Sequence, residues 1–260
     1  MDIKFDLIIQ GPIYHYTKDI LNVYKNLSFI NQIVISTWDE FSEYQLLFFD
    51  QKIKFIINED LKMPGRNNRN RKIKSSLSGI KACKSDYVIV MRSDQLWDFD
   101  ALEEMYSFYC EHKNPEIFQI NNNNLPINKI FCVNFVQDFP FHPTDWNFWG
   151  HKTDMETFFD IPYDLDHDNP LRSEIYFASF YYSLFDKKIE FMVNNPEKYL
   201  HDNSLYIEEA KKLSKSLCSK VMKPFPKKLI KVKWLKHGNE LHNWEPMEKI
   251  YDFLFHENDN

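Results

Sequence analysis

Glycine and cysteine are both scarce in this 260-residue chain, with 5 and 4 respectively. Few glycines beside a 17% share of aromatic residues argue for a chain that fills a core, and against disorder. None of Cys83, Cys110, Cys132 and Cys218 sits in a CxxC pair or near a histidine at metal-ligand spacing. Free thiols in a reducing compartment are therefore expected. A basic surplus is also missing: 32 Lys and Arg stand against 38 Asp and Glu, for a net charge of −6. That argues against a protein whose main task is wrapping a nucleic-acid backbone. No apolar run reaches the length of a membrane span, and the opening Met1-Asp2-Ile3-Lys4-Phe5-Asp6 lacks a basic region followed by an apolar one. The expected location is cytoplasmic, with contact at a membrane surface left open. There are no internal repeats.

What the chain does have is an alternation of short apolar runs and helical patterns. Phe5–Gln10 reads as a buried strand stopped by Gly11-Pro12, and Thr17 to about Ile30 as a helix. Gln32–Thr37, Lys52–Ile57 and Asp86–Met91 read as strands, and Asn67–Cys83 as a helix with a long polar face. Such alternation predicts an α/β fold with a mostly parallel sheet, in which ligands bind beyond the carboxyl ends of the strands. Three of the runs finish there in polar residues: Gln10-Gly11, Ser36-Thr37-Trp38-Asp39 and Arg92-Ser93-Asp94-Gln95. After Asp98 the pattern changes to a helix over Ala101–His112. Strands at Glu116–Ile120 and Lys129–Val136 follow, separated by a loop opening on Asn121–Asn124, and predict an antiparallel addition to the sheet. An irregular aromatic stretch follows over Phe139–Gly150, with helices over Ser173–Phe185 and Tyr206–Met222.

Four segments could carry chemistry. In Arg92-Ser93-Asp94, period-two alternation sends Arg92 and Asp94 to one side and Ser93 to the other. A carboxylate there could hold a divalent cation against a diphosphate, or simply form a surface salt bridge or cap the next helix. Arg66-Asn67-Asn68-Arg69-Asn70-Arg71-Lys72 follows Pro64-Gly65 at a loop-to-helix entry, where backbone N–H groups and guanidinium forks suit phosphate oxygens; the plain alternative is a solvated charged face. Phe139–Gly150 mixes rings with His142, Asp145 and Asn147, as sugar sites do and as packed aromatic loops also do. His142 or Asp145 could act as general base. Arg172-Ser173-Glu174 opens a helix, either as an ordinary cap or with Glu174 turned to the cleft.

Six of these pieces, in order, resemble the WavE family of lipopolysaccharide-synthesis proteins, which look like GT-A glycosyltransferases. They are Ile8-Ile9-Gln10-Gly11-Pro12-Ile13, Val34-Ile35-Ser36-Thr37-Trp38, Asn68-Arg69-Asn70-Arg71 with Ser75–Gly79, Tyr87–Asp94, His142-Pro143-Thr144-Asp145-Trp146 with Gly150, and Arg172-Ser173-Glu174. The resemblance covers the first two-thirds of the chain. It implies a GT-A-like (Rossmann-like) mixed sheet flanked by helices, with a C-terminal helical and basic extension. It places Gln10, Gly11, Pro12, Ser36, Thr37 and Trp38 in the nucleotide pocket, Arg69 and Arg71 at the diphosphate, and Asp94 where GT-A enzymes carry the metal-binding aspartate of the DxD motif. Arg92 departs from that motif, so a divalent cation such as Mg2+ or Mn2+ on Asp94 and a guanidinium in its place are both open.

The expectation is one domain over residues 1–200 and an extension over 201–260 packed on it. The expected activity is sugar transfer from a nucleotide-sugar donor to a surface glycan such as lipopolysaccharide core or capsule, with Asp145, Glu174 or His142 as the catalytic group. Transfer of a phosphate-linked group and non-catalytic glycan binding are the alternatives. The lysines Lys223, Lys227, Lys228, Lys231, Lys233 and Lys236, interleaved with Phe225, Leu229, Ile230, Val232, Trp234 and Leu235, suggest either a packed surface element or a patch for the inner membrane.

Overall fold

The computed structural model describes residues 3–47, 50–120, 123–135, 140–144, 147–166, 171–196, 207–235 and 242–243. In chain order the helices and strands are β1 (Phe5–Gln10), α1 (Thr17–Tyr24), β2 (Ile30–Trp38), β3 (Ile53–Asn58), α2 (Arg69–Lys81), β4 (Tyr87–Arg92), β5 (Gln95–Trp97), α3 (Phe99–His112), β6 (Glu116–Ile120) and β7 (Asn123–Ile127). They continue with β8 (Ile130–Cys132), β9 (Asn147–His151), α4 (Lys152–Phe159), α5 (Ser173–Ser183), α6 (Lys187–Val193), α7 (Ile207–Val221), β10 (Met222–Pro224), β11 (Val232–Trp234) and β12 (His242–Asn243).

Seven strands form one sheet in the order β10-β8-β9-β4-β1-β2-β3. The run from β4 to β3 is parallel, and β9 lies antiparallel between β4 and β8. The apolar runs of β1, β2 and β4 are continuous because both of their faces are covered. Leu7, Ile9, Ile33, Ile35, Ile89 and Met91 pack with Leu21 and Tyr24 of α1 and Leu102, Met105 and Tyr109 of α3. The alternate residues Ile8, Val34, Val88 and Val90 pack with Ile73 and Ile80 of α2, Met155 and Phe158 of α4, and Ile175 and Tyr181 of α5. Helix α2 lies close on β1, since a Cβ at Gly79 would stand 2.5 Å from the Ile8 side chain. The sheet is the mixed α/β sheet expected.

Several boundaries differ from expectation, for physical reasons. Helix α1 ends at Tyr24, because Ile30 already pairs with Phe5 at the head of β2. The stretch expected to be irregular contains β9: Phe148 packs on one sheet face and Trp149 on the other. A strand buried on both faces shows no alternation to read. The expected loop after Ile120 is instead a β6–β7 hairpin, a small sheet of its own. The expected strand at Lys129–Val136 shortens to β8. Residues from the 201–260 stretch enter both larger sheets: β10 pairs with β8, and β11 pairs with β5 and β12.

At the amino-terminal edge of the sheet a single buried carboxylate gathers three elements. Asp6 accepts from Asn31 Nδ2 at 3.1 Å, Gln32 Nε2 at 2.6 Å, the Lys84 and Ser85 amides at 2.6 and 3.0 Å, and Ser85 Oγ at 2.6 Å. Burial alone would raise its pKa, but the bonds from Ser85, Lys84 and Asn31 outweigh burial and hold it below the ordinary carboxylate value. A depressed folded pKa contributes stability that is present above the unfolded value and lost as pH falls through the folded one. Asp6→Asn should therefore cost about 1–3 kcal/mol near neutrality, since it leaves donors under-satisfied. Urea titrations of wild type and variant should converge as pH drops below about 4. A gap that stays constant down to pH 2 would show that ionisation of Asp6 contributes nothing.

Candidate active site

The carboxyl ends of β1, β2 and β4 are level, with Gln10 opposite both Ser36 and Arg92. They open on a cavity of about 430 Å³ lined by Gln10, Gly11, Pro12, Tyr14, Trp38, Asn67, Asn68, Arg71, Lys72, Ser75, Arg92, Ser93 and Asp94. That volume is the size of an ordinary small-ligand site. Gly11 leaves β1 at φ 120°, and a Cβ there would stand 2.8 Å from Ser93 Oγ. Any side chain would both strain the turn and fill the floor. Opposite, the chain enters α2 through Gly65 at φ 73° and through Asn67 and Asn68 at φ 53° and 59°. Asparagine is among the few residues that tolerate this left-handed turn. The turn sets the amino-terminal end of α2 on the cavity wall, where backbone N–H groups favour an anion.

Three cations line the cavity, and each already has a carboxylate partner. Arg92 donates from Nε to Asp94 Oδ1 at 2.9 Å and from a terminal nitrogen to Oδ2 at 2.8 Å. Arg71 is held by both oxygens of Asp60, at 2.8 Å from Nε, and its guanidinium lies 5.5 Å from the Trp38 ring centre. Lys72 donates to Glu174 Oε1 at 3.2 Å, and His142 Nε2 lies 3.7 Å from Glu174 Oε2. Burial alone would raise the pKa of Glu174, but the neighbouring His142 and the Lys72 charge hold it well below the carboxylate range. Its two oxygens thus face Lys72 and His142. Tyr14 stacks on Tyr16 with ring centres 5.0 Å apart, and burial, with Asp94 nearby, pushes both phenols up in pKa.

Of the residues expected at the nucleotide-sugar, Gln10, Gly11, Pro12, Trp38, Arg71, Arg92 and Asp94 line one cavity. Ser36 and Thr37 lie beneath it, fully buried, where Asn58 Nδ2 donates to Ser36 Oγ at 3.0 Å and to the Thr37 carbonyl at 2.8 Å. Ser93 was expected to point away, yet it lines the cavity too, because β4 ends at Arg92 and the chain turns. His142 is 6% exposed. Asp145 lies outside the described residues. Tyr14 carried no signal of its own in the sequence, and Ser75 entered only with the Ser75–Gly79 piece of the resemblance.

Arg69 departs from its expected place at a diphosphate. It is 0% exposed, its guanidinium donates to Asp164 and to the Leu171 carbonyl, and it stacks 4.5 Å from the Tyr176 ring centre. The helical repeat could have shown this, since Arg69 falls in line with Ile73, Ser76 and Ile80 on the buried face of α2. Beside it, Asn70 donates to the Asp164 carbonyl at 2.8 Å and accepts from the Asp164 amide at 2.8 Å.

The tail also differs in part from a membrane patch. Phe225 and Leu229 are buried in the core beside α3, and Lys223 lies over the Phe108 ring at 5.2 Å. Lys227 and Lys228 are exposed. Lys236 lies outside the described residues. Removing one partner of a buried ion pair strands the other charge, so Arg69→Met should lower unfolding stability by about 3–5 kcal/mol. Urea denaturation measures it, and a loss under about 0.5 kcal/mol would return Arg69 to the list of ligand-binding candidates.

No curated protein matches the chain. Among solved structures it is similar to Rv0371c from Mycobacterium tuberculosis H37Rv, at 11% identity and a TM-score of 0.43, over 63% of this chain and 79% of that one. It is also similar to S. aureus TarS 1-349, at 13% identity and a TM-score of 0.43, over 70% of this chain and 56% of that one. TarS 1-349 in complex with UDP-GlcNAc matches at 13% identity and a TM-score of 0.40, over 69% of this chain and 53% of that one. The family described as WavE lipopolysaccharide synthesis matches residues 5–191, from the first residue of β1 into α6. With the match running through β1, β2, β4, α2 and the start of α5, the whole frame of the cavity, the chain belongs to the WavE lipopolysaccharide-synthesis family.

Proposed function

We propose that the cavity takes a nucleotide-sugar through its diphosphate and that the chain transfers the sugar to a hydroxyl of a bacterial surface glycan, lipopolysaccharide core or capsule. The observation that carries this reading is the convergence of Arg71, Lys72 and Arg92 with the amino-terminal end of α2, at the carboxyl ends of parallel strands. Membership of a lipopolysaccharide-synthesis family supports it.

In the transfer, the bond between the anomeric carbon and the diphosphate oxygen breaks and its electron pair stays on the diphosphate. The acceptor oxygen bonds the anomeric carbon, and its proton passes to a base. The developing charge on the leaving group is what pre-placed cations stabilise. Tyr14 and Trp38 provide apolar ring surface in the same cavity for the base or the sugar. Glu174, paired with Lys72 and His142, places the Lys72 ammonium rather than taking the acceptor proton. Asp145, in the segment between the described residues Thr144 and Asn147, stays the candidate for that role.

No helix among the described residues is long and apolar enough to cross a membrane. Contact with the inner membrane face would rest on exposed lysines such as Lys227 and Lys228, because the apolar partners Phe225 and Leu229 are buried.

Isothermal titration with UDP, GDP and CMP, and with their sugars, tests the reading. Arg71→Ala and Lys72→Ala should each weaken the nucleotide that binds by about 10- to 100-fold, the size of a charge-assisted hydrogen bond. Glu174→Gln should weaken it by a smaller factor of about 3–10, because Lys72 loses its anchor but keeps its charge. The reading fails if no nucleotide-sugar in the panel is bound or turned over, or if the lysine and arginine variants bind as wild type does.

A further inference from the structure

The DxD position of GT-A enzymes calls for carboxylates that hold a divalent cation against the donor diphosphate. The residues present here do not fit that group. Among the described residues Asp94 is the only acidic one lining the cavity, and both of its oxygens accept from the Arg92 fork, at 2.9 and 2.8 Å. The Asp94 side chain is 6% exposed and that of Arg92 18%. A Mg2+ or Mn2+ ion wants several hard oxygen ligands with room around them. At Asp94 it would have to displace a bidentate guanidinium and sit beside Arg71 and Lys72, two further positive charges. Among the described residues no three His, Cys, Asp or Glu side chains cluster where they could hold an ion together.

We propose that this chain manages the diphosphate without a divalent cation, and that the Arg92 guanidinium takes the cation's place. This rests on the nucleotide-sugar reading above and adds the identity of the charge that faces the donor. Arg92 supplies a permanent positive charge and a planar set of donors suited to phosphate oxygens. When the anomeric bond breaks, the electron pair arrives on a diphosphate oxygen, and Arg71, Lys72 and Arg92 answer that charge together. Asp94 is on this view a positioning residue: it clamps the guanidinium flat and keeps it at the end of β4.

The test needs no knowledge of the acceptor. Mn2+ is titrated into purified full-length protein and followed by electron paramagnetic resonance. Wild type should show no saturable site below about 1 mM, and Arg92→Asp should gain one at least 10-fold tighter, because removing the fork and adding a carboxylate builds a site for a hard cation. In parallel, UDP, GDP and CMP are titrated calorimetrically in EDTA and in Mn2+. The affinity of whichever binds should agree within twofold between the two conditions and fall about 10- to 100-fold in Arg92→Ala. Asp94→Glu should restore most of what Asp94→Asn loses, since the longer acid still clamps the arginine. The proposal is overturned if wild type binds Mn2+ saturably and Asp94→Asn abolishes that binding, or if EDTA weakens the nucleotide 10-fold or more. Should no nucleotide bind under either condition, the nucleotide-sugar reading falls and this proposal falls with it; nucleotide binding that EDTA weakens 10-fold or more overturns this proposal alone. If Arg92→Asp fails to fold, Asp94→Asn stands in for it, and any change in its Mn2+ response relative to wild type counts against the proposal.

Discussion

A guanidinium with no access to water depends on partners inside the fold, and the cavity wall is organised by one such group. Arg69 sits at the first turn of α2, fully buried, and its bonds go to Asp164 and the Leu171 carbonyl. Burial pulls its pKa down, and the Asp164 charge opposes that. Because Arg69 holds residues 164 and 171, the chain that follows must begin α5 beside α2. That is what brings Glu174 to Lys72 across 102 positions of sequence. Asn70 reinforces the same junction through both its amide groups. Stability and placement are thus one problem here: the pair that keeps the fold closed also aims a cation into the cavity.

The two edges of the sheet handle charge in opposite ways. At the amino-terminal edge, Asp6 is surrounded by donors and closed off, a carboxylate whose task ends with joining β1, β2 and the turn before β4. At the carboxyl edge, the charges are paired but reach the cavity. Parallel strands impose this asymmetry, since the turns that leave their carboxyl ends carry the variable polar residues. The left-handed Asn67 and Asn68 and the tight turn at Gly11 belong to that second edge, where backbone strain makes room for a ligand.

The strands that carry the site were legible because β1, β2 and β4 are short, β-branched and punctuated by Gly11-Pro12 or by polar clusters. Six of the expected pocket residues, all but Arg71, line one cavity for that reason. The parts that were not legible depend on distant chain. Strand β9 shows no alternation, since Phe148 and Trp149 are buried on opposite faces, and its place between β4 and β8 is fixed only by pairing. Arg69 and Arg71 look alike in a run of charge. Two residues apart on a helix they point to different sides, so one is structural and the other reaches the cavity. Lys72 had no partner in view until α5 was placed beside it.

The carboxylates that hold Arg71, Lys72 and Arg92 also govern which anions can compete for them. A small ion such as phosphate or sulfate engages one or two of these cations. It must draw them away from Asp60, Glu174 or Asp94, and it gives back no more than the carboxylate already offers. A ligand that spans the cavity meets all three cations and the end of α2 together, and its ring and sugar surfaces add contacts that no free ion brings. The resting pairs therefore set a threshold that a free inorganic anion must overcome. Occupancy goes to molecules long enough to reach every cation at once.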